Sequence, residues 1–374
     1  MSKYALLTDE NSIYRKVKKG FLTVQATHRK VKKAYKTIGG IYRPCWTGGE
    51  LTYYGTTTPL SRSRTAVAAT SVGNFALFGG GSDGSGTRYS DVDAYDKSLS
   101  KTTVSGLSVA RSDHAATHTA DYAIFSGGNK GSGSISTDVD AYDKSLARTS
   151  APAPKLARYR VSATHIGNYG LIAGGWTSDN SPSNVVDAYD NSLARTNPTT
   201  LSVARQQMGA ATVGGYAIFA GGRTSNSASA RIDTVDAYDA SLAQTIATPL
   251  ADKATIRAAT SVGDYALFLS NERGYSFVYA YDKSLSATIL TPLVLKITDA
   301  AATRLGDYAL FSGGYNGSIN NADTFVFDTS LTQTLATPLS ESRASLAATT
   351  VGDYAIFAGG GSSNTTATVD VYTI

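Results

Sequence analysis

A short aromatic and glycine-rich segment recurs seven times along the chain, and this repetition constrains the fold more than any other feature. The segment reads NFALFGG from residue 74 and returns at residues 121, 168, 215, 264, 307 and 353. The steps of 43 to 49 residues match the length of one four-stranded propeller blade. The high counts of Gly (36) and Tyr (23), with only 2 Met, favour strands and turns over helices.

Each repeat divides into four strands, a to d. Strand a carries a pair of small residues, as expected where the innermost strands converge on the propeller axis. Strand b is the recurring YA(I/L)F segment, strand c reads VDAYD, and strand d follows an Asp-x-Ser-Leu turn. The pairs that we assign to strand a are Ala68-Ala69, Ala115-Ala116, Ser162-Ala163, Ala210-Ala211, Ala258-Ala259, Ala301-Ala302 and Ala347-Ala348.

The last repeat ends with strand c and has no strand d. The missing strand lies before the first repeat, because residues 51–60 end in the same Thr-Pro-Leu as residues 330–339. Pairing these segments removes the two open edges of the ring. The sequence therefore predicts an all-β protein, a seven-bladed propeller over residues 50–374 preceded by a short β-rich basic arm over residues 1–49.

The repeats resemble those of kelch propellers. They share the double glycine after strand b, the Tyr-Asp of strand c and an Arg eleven residues before the strand-b aromatic, but strand d has Thr where kelch repeats have Trp, and Leu269-Ser270-Asn271 replaces the glycines of blade 5. The resemblance implies that the repeat arginines face the mouth of the central channel and hold an acidic ligand. The five are Arg64, Arg111, Arg158, Arg205 and Arg343. The alternative is that each arginine satisfies backbone carbonyls between blades.

The loops that join strands b and c differ in length and content from blade to blade. They are rich in Gly, Ser and Asn with a few large side chains, which is typical of adaptable recognition loops. The candidate ligand-binding residues in these loops are Arg88, Tyr89, Trp176, Arg223 and Tyr315. The alternative is that they are tolerant surface loops.

The N-terminal arm differs from the body in charge. Residues 1–50 hold 11 basic and 3 acidic residues, whereas the rest of the chain holds 23 basic and 26 acidic residues. A 14-residue repeat covers residues 14–27 and 28–41, and its apolar and polar alternation predicts short strands. The arm is similar to those of prophage-encoded virion structural proteins of Gram-positive bacteria, which implies an anchoring role. The candidate anchoring residues are Lys16, Lys18, Lys19, Lys30, Lys32 and Lys33. A generic polybasic stretch that binds nucleic acid is the alternative.

The chain offers little for catalysis. The single cysteine, Cys45, lies in the arm, so we expect no internal disulfide. His114, His118 and His165 fall on strand a without the spacing of a metal site. Few Glu residues occur in the propeller, and most Asp residues recur at turns or in strand c. We therefore predict no enzyme, no cofactor and no metal, and the sequence shows neither a signal peptide nor a membrane-spanning run.

Two classes of function fit these features. In the first, the chain is a phage virion component of the tail, fibre or particle surface, assembled in the bacterial cytoplasm as a homo-oligomer. Its arm binds other virion proteins, and its propeller binds a host-surface glycan or protein. In the second, it is an intracellular kelch-type interaction scaffold with a polybasic tail.

Overall fold

Seven four-stranded antiparallel sheets form the body of the protein in a computed structural model. The structure describes residues 21–24, 27–30, 34–38, 41–46 and 49–374, apart from 273–274, 294 and 362–363. In each sheet the strands are hydrogen-bonded in the order a, b, c, d. The predicted all-β, seven-bladed propeller is confirmed.

The strands of the blades have the following bounds. Strands a are Ala68–Val72, Ala115–His118, Ser162–Ile166, Gly209–Val213, Ile256–Val262, Ala301–Leu305 and Ala347–Val351. Strands b are Phe75–Gly79, Tyr122–Ser126, Tyr169–Ala173, Tyr216–Ala220, Tyr265–Glu272, Tyr308–Ser312 and Tyr354–Ala358. Strands c are Val92–Asp96, Val139–Asp143, Val186–Tyr189, Val235–Asp239, Tyr275–Asp282, Thr324–Asp328 and Val369–Thr373. Strands d of blades 1 to 6 are Lys101–Val104, Arg148–Ser150, Arg195–Thr196, Gln244–Ile246, Ala287–Ile289 and Gln333–Ala336.

The N-terminal strand closes the ring. Thr52–Thr56 pairs antiparallel with Val369–Thr373 and supplies strand d of blade 7. The Tyr53 hydroxyl donates to the Asp370 carboxylate at 2.5 Å, and the Leu60 amide donates to the Ala367 carbonyl at 2.8 Å. The prediction that residues 51–60 complete the last blade is therefore confirmed. The chain enters this strand from the side of the c–d turns, opposite the b–c loops.

The core lies between neighbouring blades. Strand b is buried on both faces, as Ala76, Leu77 and Phe78 show with no exposed surface. The tyrosine of strand c reaches across the blade interface, and the Tyr142 hydroxyl donates to the Ser105 carbonyl of blade 1 at 2.8 Å. In blade 4 the predicted pair Ala210-Ala211 lies in strand a and pairs with Phe219 and Ile218 of strand b, and Gly209 pairs with Ala220 one position earlier.

The double glycine forms the backbone junction between blades. Gly127 has φ +72°, and a Cβ there would lie 2.5 Å from the carbonyl oxygen of Arg158 in blade 3. The next amide, that of Gly128, donates to the same carbonyl at 2.9 Å. The glycines are needed because a side chain would occupy the space of the neighbouring backbone and strain the left-handed conformation. At the one junction without glycines, the Ser276 hydroxyl hydrogen-bonds both the amide and the carbonyl of Ile297.

Shorter elements complete the fold. The strands Asn129–Gly131 and Ser134–Ile135 form a small hairpin in the b–c loop of blade 2, and Ala228–Ala230 is a 3-10 turn in that of blade 4. In the arm, Phe21–Val24 pairs with Thr27–Lys30, and Ala34–Ile38 pairs with Ile41–Trp46. Lys30 ends an arm strand, while the other anchoring lysines, Lys16, Lys18, Lys19, Lys32 and Lys33, lie outside the described residues. No helix among the residues that the structure describes has the length and apolarity to cross a membrane.

Candidate ligand site at the channel mouth

The five repeat arginines are interior residues. Their side chains are at most 1% exposed, and each pairs with an equally buried aspartate of strand c in its own blade. Arg111 Nη2, for example, lies 2.8 Å from Asp140 Oδ2 and also donates to the Phe125 carbonyl at 3.2 Å. Burial lowers the pKa of Arg158, while the charge of Asp187 opposes that effect. The prediction that Arg64, Arg111, Arg158, Arg205 and Arg343 bind a ligand at the channel mouth is wrong, because a ligand cannot reach them.

The arginine and its aspartate occur together. Blades 5 and 6 lack the arginine, with Ala254 and Ile297 in its place, and the aspartate position of strand c holds Tyr279 and Phe325. All four replacements are buried. Replacing both partners by apolar residues avoids an uncompensated buried charge. The arginine and the aspartate therefore form a structural pair inside the blade, in which each partner compensates the buried charge of the other.

In each blade one residue at the entry to strand a borders the mouth of the channel. It lies two positions after the repeat arginine or after the residue that replaces it. Six of these residues adopt a left-handed conformation with φ between +51° and +55°. These six are Ala66, Asp113, Arg160, Gln207, Asp299 and Ser345. In blade 5 the register shifts between Ile256 and Ala258, and Arg257 is exposed at this edge. Charged side chains thus stand at several of these positions.

Two adjacent cavities open at this mouth. The first has a volume of about 370 Å³ and lies beside Asp113, Arg160 and Gln207. The second has a volume of about 200 Å³ and lies beside Arg223, Arg231 and Asp299. Gln207 and Arg257 border both. The two cavities form one continuous candidate site, which we call the channel-mouth site.

Four arginines give this site its charge. Arg223 and Arg231 face each other across the b–c loop of blade 4, Arg160 comes from the entry to blade 3, and Arg257 comes from blade 5. The pKa of Arg223 is lowered first by burial and then by the positive charges of Arg257, Arg160 and Arg231. The other three guanidinium groups therefore lie near enough to Arg223 to lower its pKa.

Acidic groups neutralise this cluster only in part. Arg257 forms an ion pair with Asp299. Within the described part of the chain, Arg160, Arg223 and Arg231 have no carboxylate at salt-bridge distance; Arg160 stacks on Tyr159, and Arg223 donates to the Asn226 carbonyl. Guanidinium groups without acidic partners in a cavity can bind carboxylates or phosphates through two parallel hydrogen bonds. The channel-mouth site is thus suited to an anionic ligand.

A neutral histidine borders the first cavity. His114 is only 8% exposed. Its pKa lies well below the usual range because of burial and the positive charges of Arg111 and Arg64. The ring is therefore uncharged near neutral pH and adds no positive charge to the cavity.

The loop residues predicted from the sequence have different outcomes. Arg223 borders the second cavity. Trp176, predicted to bind a ligand, is only 3% exposed, and its indole N–H donates to the Asn180 side chain at 3.3 Å, so it offers a ligand almost no surface. Arg88, Tyr89 and Tyr315 are half-buried and do not border either cavity. Sequence reasoning missed Arg160, Gln207, Arg231 and Arg257.

Two histidines meet at the opposite end of the channel. The rings of His118 and His165 have centroids 4.1 Å apart, and they border a third cavity of about 470 Å³ together with Arg304. Burial and the neighbouring His165 lower the pKa of His118 to about 4. No described residues form a group of three or more His, Cys, Asp or Glu side chains placed to hold a metal ion.

Known proteins resemble this chain in fold and not in sequence. No family model matches the chain, and no curated protein matches it in sequence. Among solved structures, that of YjhT superposes with a TM-score of 0.58 at 11% sequence identity. The match covers 75% of this chain and 99% of that chain. At this identity the similarity shows the shared propeller architecture alone.

Proposed function

We propose that this protein is a non-enzymatic binding propeller that holds an anionic ligand at the channel-mouth site. The observation that carries the proposal is the cluster of Arg160, Arg223, Arg231 and Arg257, of which only Arg257 has an acidic partner at salt-bridge distance among the described residues. Burying part of a like-charged cluster costs free energy that an anion from solution would offset. A purely structural cluster would gain more from carboxylates supplied by the chain itself.

The position of the cluster fits a display role. The site lies on the face of the b–c loops, whereas the chain enters the propeller through strand Thr52–Thr56 from the opposite face. A particle attached through the arm would leave the site directed outward. We therefore propose a virion component whose basic arm docks on the particle and whose propeller binds a host-surface glycan or protein that bears acidic groups.

The walls of the site favour binding over hydrolysis. Among the described residues that border the two cavities, the carboxylates are Asp113 and Asp299, and Asp299 is already paired with Arg257. Hydrolysis of a glycosidic bond requires two carboxyl groups that flank it. Arginine side chains with free donors stabilise a bound anion without reacting with it.

Ligand arrays test the binding proposal. The full-length chain is applied to an array of neutral, carboxylated, sulfated and phosphorylated glycans, beside the variants Arg231→Gln and Arg304→Gln. Arg304 is an exposed arginine at the other end of the channel, so its variant loses the same charge outside the site. We expect binding to acidic glycans that Arg231→Gln lowers at least tenfold and Arg304→Gln leaves nearly unchanged. Equal losses in both variants would show that only net charge matters.

Particle fractionation tests the display proposal. Phage particles from an induced culture that expresses the chain are separated on a density gradient. We expect the full-length chain to sediment with the particles and a chain that lacks residues 1–49 to remain in the soluble fraction. A full-length chain that stays soluble would favour the intracellular scaffold instead.

A further inference from the structure

We propose that the ligand of the channel-mouth site carries two anionic groups on one backbone, one group for each cavity. This inference rests on the proposed function and specifies its ligand class. A bisphosphate, or two neighbouring acidic units of a polymer, has the required chemistry. The observation behind it is that the arginines are divided between two cavities that share a wall.

The charges of the site match two anionic groups. Four arginines and two carboxylates, Asp113 and Asp299, border the two cavities, which leaves two positive charges. One monoanion neutralises half of that excess. A ligand with two carboxylates balances it, and a bisphosphate, with about −1.5 to −2 on each group near pH 7, more than balances it. Either ligand supplies one anionic group for each cavity in a partly buried place, where screening by water and salt is weaker than at the surface.

The arginines are placed to hold two separate groups. Arg223 and Arg231 border the second cavity only, and Arg160 borders the first only. Arg257 borders both, but part of its charge is engaged by Asp299. The second cavity therefore provides the stronger anion site. The first provides a weaker one on the other side of the shared wall, because Asp113 borders it together with Arg160.

Gln207 forms the polar part of that wall. It is only 9% exposed, and its backbone is fixed by the Ile256 amide, which donates to the Gln207 carbonyl at 3.1 Å. No described residue hydrogen-bonds its side-chain amide. A neutral amide at this point can donate to either anionic group without repelling the cations on both sides. The backbone of the ligand would cross the wall at Gln207.

Calorimetric titration of the full-length chain tests the two-group ligand. The probes are propane-1,3-diol monophosphate and bisphosphate, with butyrate and glutarate as the carboxylate pair. The variants are Arg160→Gln, Arg231→Gln and the distant control Arg304→Gln. Gln at position 160 is conformationally compatible, because Gln207 occupies the equivalent left-handed position in blade 4. Circular dichroism and thermal melting verify that each variant is folded.

We expect the bisphosphate to bind the wild type at least tenfold more tightly than the monophosphate. Arg160→Gln should remove that advantage while leaving monophosphate affinity within about twofold, Arg231→Gln should weaken both, and Arg304→Gln should change neither. The same ratio in the carboxylate pair would show that the number of anionic groups, and not phosphate itself, is recognised; a ratio in one series alone would identify the anion.

Different titration results would overturn the two-group ligand and the anion site. Equal affinity for monophosphate and bisphosphate, with binding still lost in Arg231→Gln, would overturn the two-group ligand and keep the anion site. An Arg160→Gln variant that retains the full preference for the bisphosphate would also overturn it. Absence of binding by all four probes would overturn the anion site itself.

Discussion

Arg111 Nη2 lies 2.8 Å from Asp140 Oδ2, and both side chains are fully buried within blade 2. Removing one member of such a pair leaves a buried charge without a partner, which costs about 3–5 kcal/mol. We expect Arg111→Ala to lower the free energy of unfolding by about that amount, measured by denaturant unfolding. Arg148 also contacts Asp140 at 2.8 Å but is 32% exposed, so Arg148→Ala is the matched control and should cost about 1 kcal/mol or less. An Arg111→Ala variant that keeps the wild-type stability but has lost ligand affinity would show that the repeat arginines do bind the ligand.

Blade 6 suggests a compensating double substitution. It carries Ile297 and Phe325 where blade 2 carries Arg111 and Asp140. We expect Arg111→Ile with Asp140→Phe to be less destabilising than the sum of the two single substitutions by at least about 1 kcal/mol, because the double variant leaves no unpaired buried charge. A double-mutant cycle of unfolding free energies measures this coupling. Strict additivity would mean that the pair does not act as a unit.

Two glycines with nearly equal backbone angles separate conformational strain from steric exclusion. Gly127 has φ +72° and Gly133 has φ +75°, but a Cβ at Gly127 would lie 2.5 Å from a backbone oxygen, whereas one at Gly133 would have no atom within 4 Å. Gly133→Ala should cost about 1–2 kcal/mol from the left-handed conformation alone. Gly127→Ala should lower the unfolding free energy by clearly more, because the neighbouring blade must move. Similar losses of unfolding free energy in the two variants would show that the contact between the Gly127 backbone and the Arg158 carbonyl is not the reason for the double glycine.

The histidine pair in the channel makes stability depend on pH. Because the pKa of folded His118 is about 4 and that of an unfolded histidine is about 6.5, the unfolded state binds more protons between these values. Stability contributed by the neutral ring is therefore complete above about pH 6.5 and falls as the pH decreases toward 4, by up to about 3 kcal/mol. His118→Ser, which copies Ser71 of blade 1, should reduce this slope in denaturant unfolding without abolishing it, because burial also lowers the pKa of His114 and of His165. The control Ser71→Ala should keep the wild-type slope, and an unchanged slope in His118→Ser would exclude this histidine as the source.

The repeat pattern was enough to predict the propeller and its closure, because the spacing of strand b and the Thr-Pro-Leu after residues 51–57 are local sequence features. The direction of the repeat arginines was not predictable from their spacing, since the entry to strand a can point a side chain into the channel or into the blade. A signal was nevertheless present: the second residue of strand c is Asp93 or an equivalent aspartate in those blades that carry the arginine.

The channel-mouth site could not be found by comparing repeats. Arg160, Arg231 and Arg257 occupy positions at which the other blades have different residues, so they look like variation between repeats. They meet only because three separate segments converge where the ring of blades opens. The repeated residues therefore predict the propeller fold, and residues that differ between blades form the candidate site.

Chemical protection of arginines tests most directly the claim that an anion binds at the channel mouth and not at the buried repeat positions. The folded full-length chain is treated with phenylglyoxal, with and without propane-1,3-diol bisphosphate, and modified peptides are quantified by mass spectrometry. We predict that Arg160, Arg223, Arg231 and Arg257 react and that the ligand protects them. We also predict that Arg64, Arg111, Arg158, Arg205 and Arg343 stay unmodified in both samples. If the repeat arginines react and the ligand protects them, while the four channel-mouth arginines are not protected, an anion does not bind at the channel-mouth site.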